Sequence, residues 1–274
     1  MKIIDAHLHL FPPSEPRFEE MAQAVGHRNS TAHLRQVYRE LGIVHGVVMG
    51  NRSLNPADHD YPPDLFHYCV GLDSSLLGSG EPAPDRLADT VEAHLARPSC
   101  CGVKLYPGYN RIWLWDPLYE PVYALAARYD KPVAVHMGLT ASASAHLKYC
   151  HPLVLDEVAA DHPDTRFVLC HFGNPFLESA SAVVEKNPNV AADLSGLLEG
   201  RVDLERFRAE QGRWMDLLGT WLAAIDRWDD LLFGTDWPIV NLGEYIAFLQ
   251  AVIPPAHWEQ VFFQNADWVY GLGL

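Results

Sequence analysis

Four apolar segments of the chain run into side chains able to hold a divalent metal ion or move a proton. His7 and His9 form a His-x-His after the first of them, His136 closes Val133-Ala134-Val135, His171 closes Phe167-Val168-Leu169-Cys170, and Asp236 closes Leu232-Phe233-Gly234-Thr235. A bare His-x-His is more often a satisfied polar pair than a metal site. The repetition changes that reading, because imidazoles and carboxylates at several buried strand ends need partners, and a Zn²⁺-like cation supplies one. If the first segment is a strand, its period of two turns His7 and His9 to one face, so the two rings share an ion. Lys104, inside Val103-Lys104-Leu105-Tyr106-Pro107, adds an ammonium that is costly to bury unless neutralised, paired or chemically modified.

For these residues to meet, the elements that carry them must converge at one end. Short apolar runs alternate with stretches of helical periodicity, which argues for a parallel sheet covered by helices. The expected strands are Lys2–Ile4, Ile43–Met49, Leu65–Leu72, Cys101–Tyr106, Pro132–His136, Arg166–Cys170, Val190–Leu194 and Leu231–Thr235. Most read as continuous rather than alternating apolar runs, as strands buried on both faces do. Eight of them in 274 residues predict a single-domain (β/α)₈ TIM barrel over residues 1–274, with an open doubly wound sheet as the alternative. Helices are expected at Thr31–Leu41, with Ser30 as N-cap and Gly42 past its end, and at Asp85–Ala96, Pro117–Tyr129, Leu153–Asp161, Pro175–Lys186 and around Arg206–Arg227. Phe11–Arg17 and Asp73–Asp85, rich in Pro, Ser and Gly, read as loops on the functional end.

Composition narrows the partners. Thirty-five acidic against 20 basic residues give a formal charge of −15, a field that repels nucleic-acid phosphates and anionic membranes, so a small-molecule substrate is expected. The five cysteines are odd in number and lack disulfide or Cys-x-x-Cys spacing, and the opening Met1-Lys2-Ile3-Ile4-Asp5 carries no secretory pattern. A cytoplasmic location is the expectation.

Asp5-Ala6-His7-Leu8-His9, Gly102-Val103-Lys104-Leu105-Tyr106-Pro107, Val135-His136-Met137-Gly138, Cys170-His171-Phe172-Gly173 and Phe233-Gly234-Thr235-Asp236-Trp237-Pro238, taken in order, resemble the amidohydrolase superfamily of metal-dependent hydrolases. Asp193-Leu194-Ser195-Gly196 and Asn265-Ala266-Asp267-Trp268-Val269-Tyr270 are similar to the branch that holds uncharacterised TIM-barrel hydrolases and aromatic-acid decarboxylases. The resemblance implies that His7, His9 and Asp236 bind a first metal, zinc by preference, with His136 and His171 as further ligands. The Lys-Leu-Tyr-Pro segment is similar to that of dihydroorotases, whose lysine is carboxylated and bridges two metals, which would make Lys104 a ligand of a two-metal site. The other reading keeps Lys104 an amine and leaves one metal, with His171 positioning water.

Such a centre acidifies water and polarises a carbonyl, and Asp236 would carry the proton from water to the leaving group. Hydrolysis of an amide, lactone or ester-like bond in a small carboxylated molecule is therefore expected, with decarboxylation of an aromatic or unsaturated acid as the alternative. A noncatalytic metal-binding barrel is a third reading, disfavoured by the full ligand set. Tyr106, Tyr109, Asn110 and Arg111 follow the fourth strand where substrate would lie, with Arg52 a weaker candidate, although each has an ordinary reading as a loop residue. Asp193 either orients a ligand histidine or sets a turn. His45, His67, His94, His151 and His162 are given no role, and the tryptophans at 113, 115, 214 and 221 are expected in a core or in a homodimer contact.

Overall fold

In the computed structural model, which describes residues 1–10, 15–73, 77 and 84–274, eight strands pair in chain order. They are β1 (Ile3–Leu8), β2 (Ile43–Met49), β3 (Phe66–Leu72), β4 (Cys100–Leu105), β5 (Val133–His136), β6 (Phe167–Cys170), β7 (Val190–Asp193) and β8 (Leu231–Leu232). Each neighbouring pair is parallel. β8 meets β1 again through a bridge between Leu8 and Trp237 and through Ala6 N–H to Phe233 O at 3.0 Å, so the sheet closes into a TIM barrel.

The helices form where the pattern placed them. Thr31–Leu41 begins where Ser30 Oγ accepts from His33 N–H and ends where Gly42 takes a left-handed φ of 77°. Its buried Leu34, Val37 and Tyr38 face the sheet. Helices Glu120–Arg128, Pro152–Asp161, Leu177–Lys186 and Leu204–Ile225 likewise lie between successive strands. Four helices among the described residues escape the sequence reading, the short Pro107–Asn110 and Asn265–Tyr270 and two longer ones. Pro16–Ala24 starts inside the expected loop Phe11–Arg17, of which residues 11–14 lie outside the described residues, as does most of the expected loop Asp73–Asp85. Leu242–Val252 is capped by Asn241, whose side chain accepts from Glu244 N–H.

Two apolar layers result. An outer one joins strands to helices, while an inner one holds Ile4, Ala6, Val47, Met49, Cys69, Cys101, Ala134, Val168, Cys170, Ala191 and Leu232 inside the barrel, with Ala266, Val269 and Tyr270 of the last helix packed on them. Alanine, cysteine and branched aliphatic side chains fill this interior, which an eight-strand barrel leaves just wide enough for them. The five cysteines are buried free thiols. Trp214 stacks on Phe248 at 6.0 Å and Trp113 on Trp115 at 4.6 Å, both within the chain. Among the described residues no helix is long and apolar enough to cross a membrane.

Candidate metal centre

The strand ends deliver their polar residues to one mouth of the barrel. β1 does so through an irregularity rather than by strict alternation. Ala6 belongs to the inner layer and Leu8 to the outer one, and the β1–β2 register shifts between Asp5 and Leu8. Asp5 fixes this segment, accepting from Thr235 N–H at 2.9 Å, Thr235 Oγ1 at 2.7 Å and Tyr38 Oη at 3.1 Å. Burial pushes its carboxyl up to about 7 despite those donors. His7 O in turn accepts from Asp236 N–H at 2.7 Å, which ties the first strand to the turn after the last.

Ligand atoms of His7, His9 and Asp236 lie within 4.8 Å of one another. Asp236 Oδ1 is 3.5 Å from His7 Nε2 and 3.2 Å from His9 Nε2. Beside this group stand the other two expected histidines, with His171 Nε2 3.0 Å from His136 Nδ1 and the His171 ring 4.7 Å from that of His7. Asp236 and His171 both sit at positive φ, 59° and 61°, strained backbone of the kind found at functional sites. Gly196, at φ 59°, has no side chain where a Cβ would come 2.9 Å from His171 Nδ1 and 3.0 Å from Asp236 Oδ2.

Hydrogen bonds on the far side of each ring fix which nitrogen is bare. His7 Nδ1 is 2.8 Å from Asp193 Oδ2, so it carries the hydrogen, and Nε2 is buried without a hydrogen-bond partner. His136 Nε2 donates to Leu139 O at 2.8 Å, leaving Nδ1 bare. His171 Nδ1 faces Ser195 O at 3.2 Å, leaving Nε2 bare. Two lone pairs thus meet at 3.0 Å between His136 and His171, a contact that needs a shared proton or a cation. Neutral imidazoles aimed at one region beside a carboxylate are a zinc-type donor set, so the residues fit a divalent metal.

The electrostatics agree. Burial, helped by the Lys104 charge, lowers His7 to about 3, and burial with His171 and Lys104 beside it holds His136 well below its ordinary range. Burial would raise Asp236, but the hydrogen bond from His9 and the neighbouring His171 and His7 pull it below the carboxylate range. Lys104 is fully buried and donates to Cys170 Sγ at 2.8 Å. Cys170 in turn lies with His7 and Asp193 in a second buried group, so the amine reaches the site from beneath through the thiol.

The mouth opens into a cavity of about 630 Å³ lined by His9, His136, His171 and Asp236. Tyr106 and Tyr109 form part of its wall, Tyr106 held by donation to Met49 O at 2.6 Å and Tyr109 set edge-on to His136 at 5.1 Å. The structure places Asn110 and Arg111 elsewhere. Asn110 donates to Leu72 O at 2.7 Å and Arg111 to Ser144 O at 2.7 Å, so both brace loops instead of lining the cavity. The sequence reading missed Arg17, Phe18, Met21 and Ile239 in the wall, whereas its weaker candidate Arg52 is there with Asp73.

A family model described as amidohydrolase matches residues 4–272. The chain belongs to the amidohydrolase family. That family is one of metal-dependent enzymes. A comparison with curated proteins by sequence gives no match. Solved structures similar to this amidohydrolase include 2,6-dihydroxybenzoate decarboxylase from Rhizobium, at 15% identity and a TM-score of 0.72 over 100% of both chains. A probable 2-pyrone-4,6-dicarboxylic acid hydrolase from Acinetobacter baumannii, with citric acid bound, is similar at 15% identity and a TM-score of 0.65, with 99% of this chain and 100% of that one covered. An amidohydrolase from Burkholderia multivorans with bound zinc has 16% identity and a TM-score of 0.68 over 99% of both chains. At such identities the likeness is one of fold, which hydrolases and decarboxylases share.

Proposed function

We propose that the chain is a metal-dependent hydrolase acting on an amide, lactone or ester-like bond of a small carboxylated molecule. The observation that carries this reading is the His7, His9 and Asp236 donor group at an open mouth, with the bare nitrogens of His136 and His171 beside it. These residues would hold a divalent ion, zinc by donor type. When bound, the ion supplies a Lewis acid that polarises a carbonyl and acidifies water.

Asp236 is the proton carrier in this scheme. Its side chain is 19% exposed, enough to touch both water and substrate, and its neighbours keep it ionised, the form that can take a proton. It takes that proton from the attacking water and returns it to the leaving oxygen or nitrogen, so water is added across the bond with no net change at the residue. His171 stands beside Asp236, its bare Nε2 either completing the metal site or, left off the ion, orienting the water. Tyr106 and Tyr109 present aromatic faces to the substrate, while Arg52, paired with Glu15 at 3.8 Å and Asp73 at 3.9 Å, adds a guanidinium to the wall.

A second reading is decarboxylation of an aromatic acid, in which Lys104 stays an amine, within hydrogen-bonding distance of Cys170, and one ion is held. The experiment that separates the readings treats zinc-loaded protein with a pyrone dicarboxylate lactone and with dihydroxybenzoates, following ring opening and CO₂ release. Ring opening with wild-type protein and none with Asp236→Asn supports hydrolysis. CO₂ release alone overturns it in favour of decarboxylation, and neither product in the presence of bound zinc overturns both.

A further inference from the structure

We propose that Asp193 is a positioning residue for two of the metal-site histidines at once, reaching His7 directly and His171 through the hydroxyl of Ser195. The proposal rests on the metal reading of the preceding section and goes beyond it by naming the device that bares the nitrogens.

Asp193 closes β7 and is fully buried. Its two oxygens divide the work. Oδ2 lies 2.8 Å from His7 Nδ1. Oδ1 accepts from His171 N–H at 2.9 Å, from Ser195 N–H at 3.1 Å and from Ser195 Oγ at 2.5 Å. A carboxylate accepts and does not donate, so the single hydrogen of the Ser195 hydroxyl is committed to Asp193. The oxygen that carries it then has only lone pairs left to offer His171 Nδ1, which stands 2.9 Å away. The backbone carbonyl of Ser195, 3.2 Å from the same nitrogen, accepts as well, so His171 holds its hydrogen on Nδ1 and Nε2 turns bare toward His136.

The same carboxylate gives His7 the same tautomer by direct contact. One buried anion thereby sets the orientation of rings from β1 and from the end of β6, two elements that are not sheet neighbours. The sequence segment Asp193-Leu194-Ser195-Gly196 supplies the whole device within four residues, since Gly196 leaves the space in which the His171 ring stands.

Two measurements test this. In metal-free wild-type protein labelled with ¹⁵N-histidine, long-range ¹H–¹⁵N spectra should show His7 and His171 with hydrogen on Nδ1, and Ser195→Ala, which removes the nearer acceptor and leaves only the backbone carbonyl at 195, should move His171 toward a mixture of forms while leaving His7 unchanged. In zinc competition against a chromogenic chelator, Ser195→Ala should weaken binding about tenfold in the native background. It should do so by less than about threefold when Asp193→Asn is already present, because the relay is then cut at its source. A wild-type His171 that carries its hydrogen on Nε2 overturns the proposal, and so does an equal Ser195→Ala effect in both backgrounds. If the native protein binds no zinc, the metal reading fails by itself, and the metal-free spectra still decide the positioning role.

Discussion

Gly196→Ala isolates the geometric demand of the site. The added Cβ would come 2.9 Å from His171 Nδ1 and 3.0 Å from Asp236 Oδ2, distances that force one or both side chains to move by a few tenths of an ångström. The backbone at 196 is also left-handed, φ 59°, which costs a residue with a Cβ about 1–2 kcal/mol. Gly271 supplies the matching control, with φ 61° and nothing within 4 Å of where its Cβ would stand. Gly271→Ala thus carries the backbone cost without the collision. Both variants should lose about 2–6 °C in Tm by thermal unfolding of the metal-free protein, given a domain of this size. Only Gly196→Ala should lose zinc affinity, by at least about tenfold in competition with a chelator, since a shifted donor leaves the coordination sphere. Equal zinc affinity in the two alanine variants would refute the claim that His171 and Asp236 are held in place by the missing side chain.

Asp236→Asn should leave the thermal midpoint within a few degrees of wild type and reduce turnover by more than about a hundredfold, measured as initial rates on whichever substrate the panel identifies; wild-type rates would end its role as proton carrier. Chelation of the metal should lower Tm by roughly 10 °C, the effect of losing a ligand held at about a thousand times its Kd, and an unchanged melting curve would argue against a bound ion. The metal-free protein should weaken in acid. Because His7 is lowered from 6.5 to about 3 in the folded state, its contribution is whole above about pH 6.5 and is lost as pH falls toward 3, to a ceiling of about 5 kcal/mol. Urea midpoints measured between about pH 7 and 4 should fall accordingly, and less steeply in His7→Asn; a flat profile contradicts a buried neutral imidazole.

The barrel was legible because parallel strands buried on both faces read as short apolar runs, and their ends were legible because polar residues broke those runs abruptly. His136 and His171 stand directly on those breaks. β1 shows where periodicity misleads. Strict alternation predicts the right outcome for His7 and His9, yet Ala6 and Leu8 lie on different faces, and the shifted register makes up the difference. Asn110 and Arg111 lie outside the cavity wall for a physical reason: the helical turn Pro107–Asn110 ends with Arg111 at φ 57°, and the two side chains go to the carbonyls of Leu72 and Ser144. The helix at Leu242–Val252 did carry a signal, Asn241-x-x-Glu244, an N-cap with an acid three residues on. The reach of Arg17 and Met21 into the cavity was not legible, since they belong to a helix whose docking depends on the rest of the fold.

The seam between the first and last strands has a consequence for how the protein comes into being. Asp5 and Thr235 are 230 positions apart, and the bonds between them frame the His7, His9 and Asp236 donors. A ribosome-bound chain lacking its final quarter owns the histidines but not the aspartate, nor the turn that sets it. The donor group is therefore completed late in synthesis, and the unfinished polypeptide lacks the carboxylate that lies with His7 and His9.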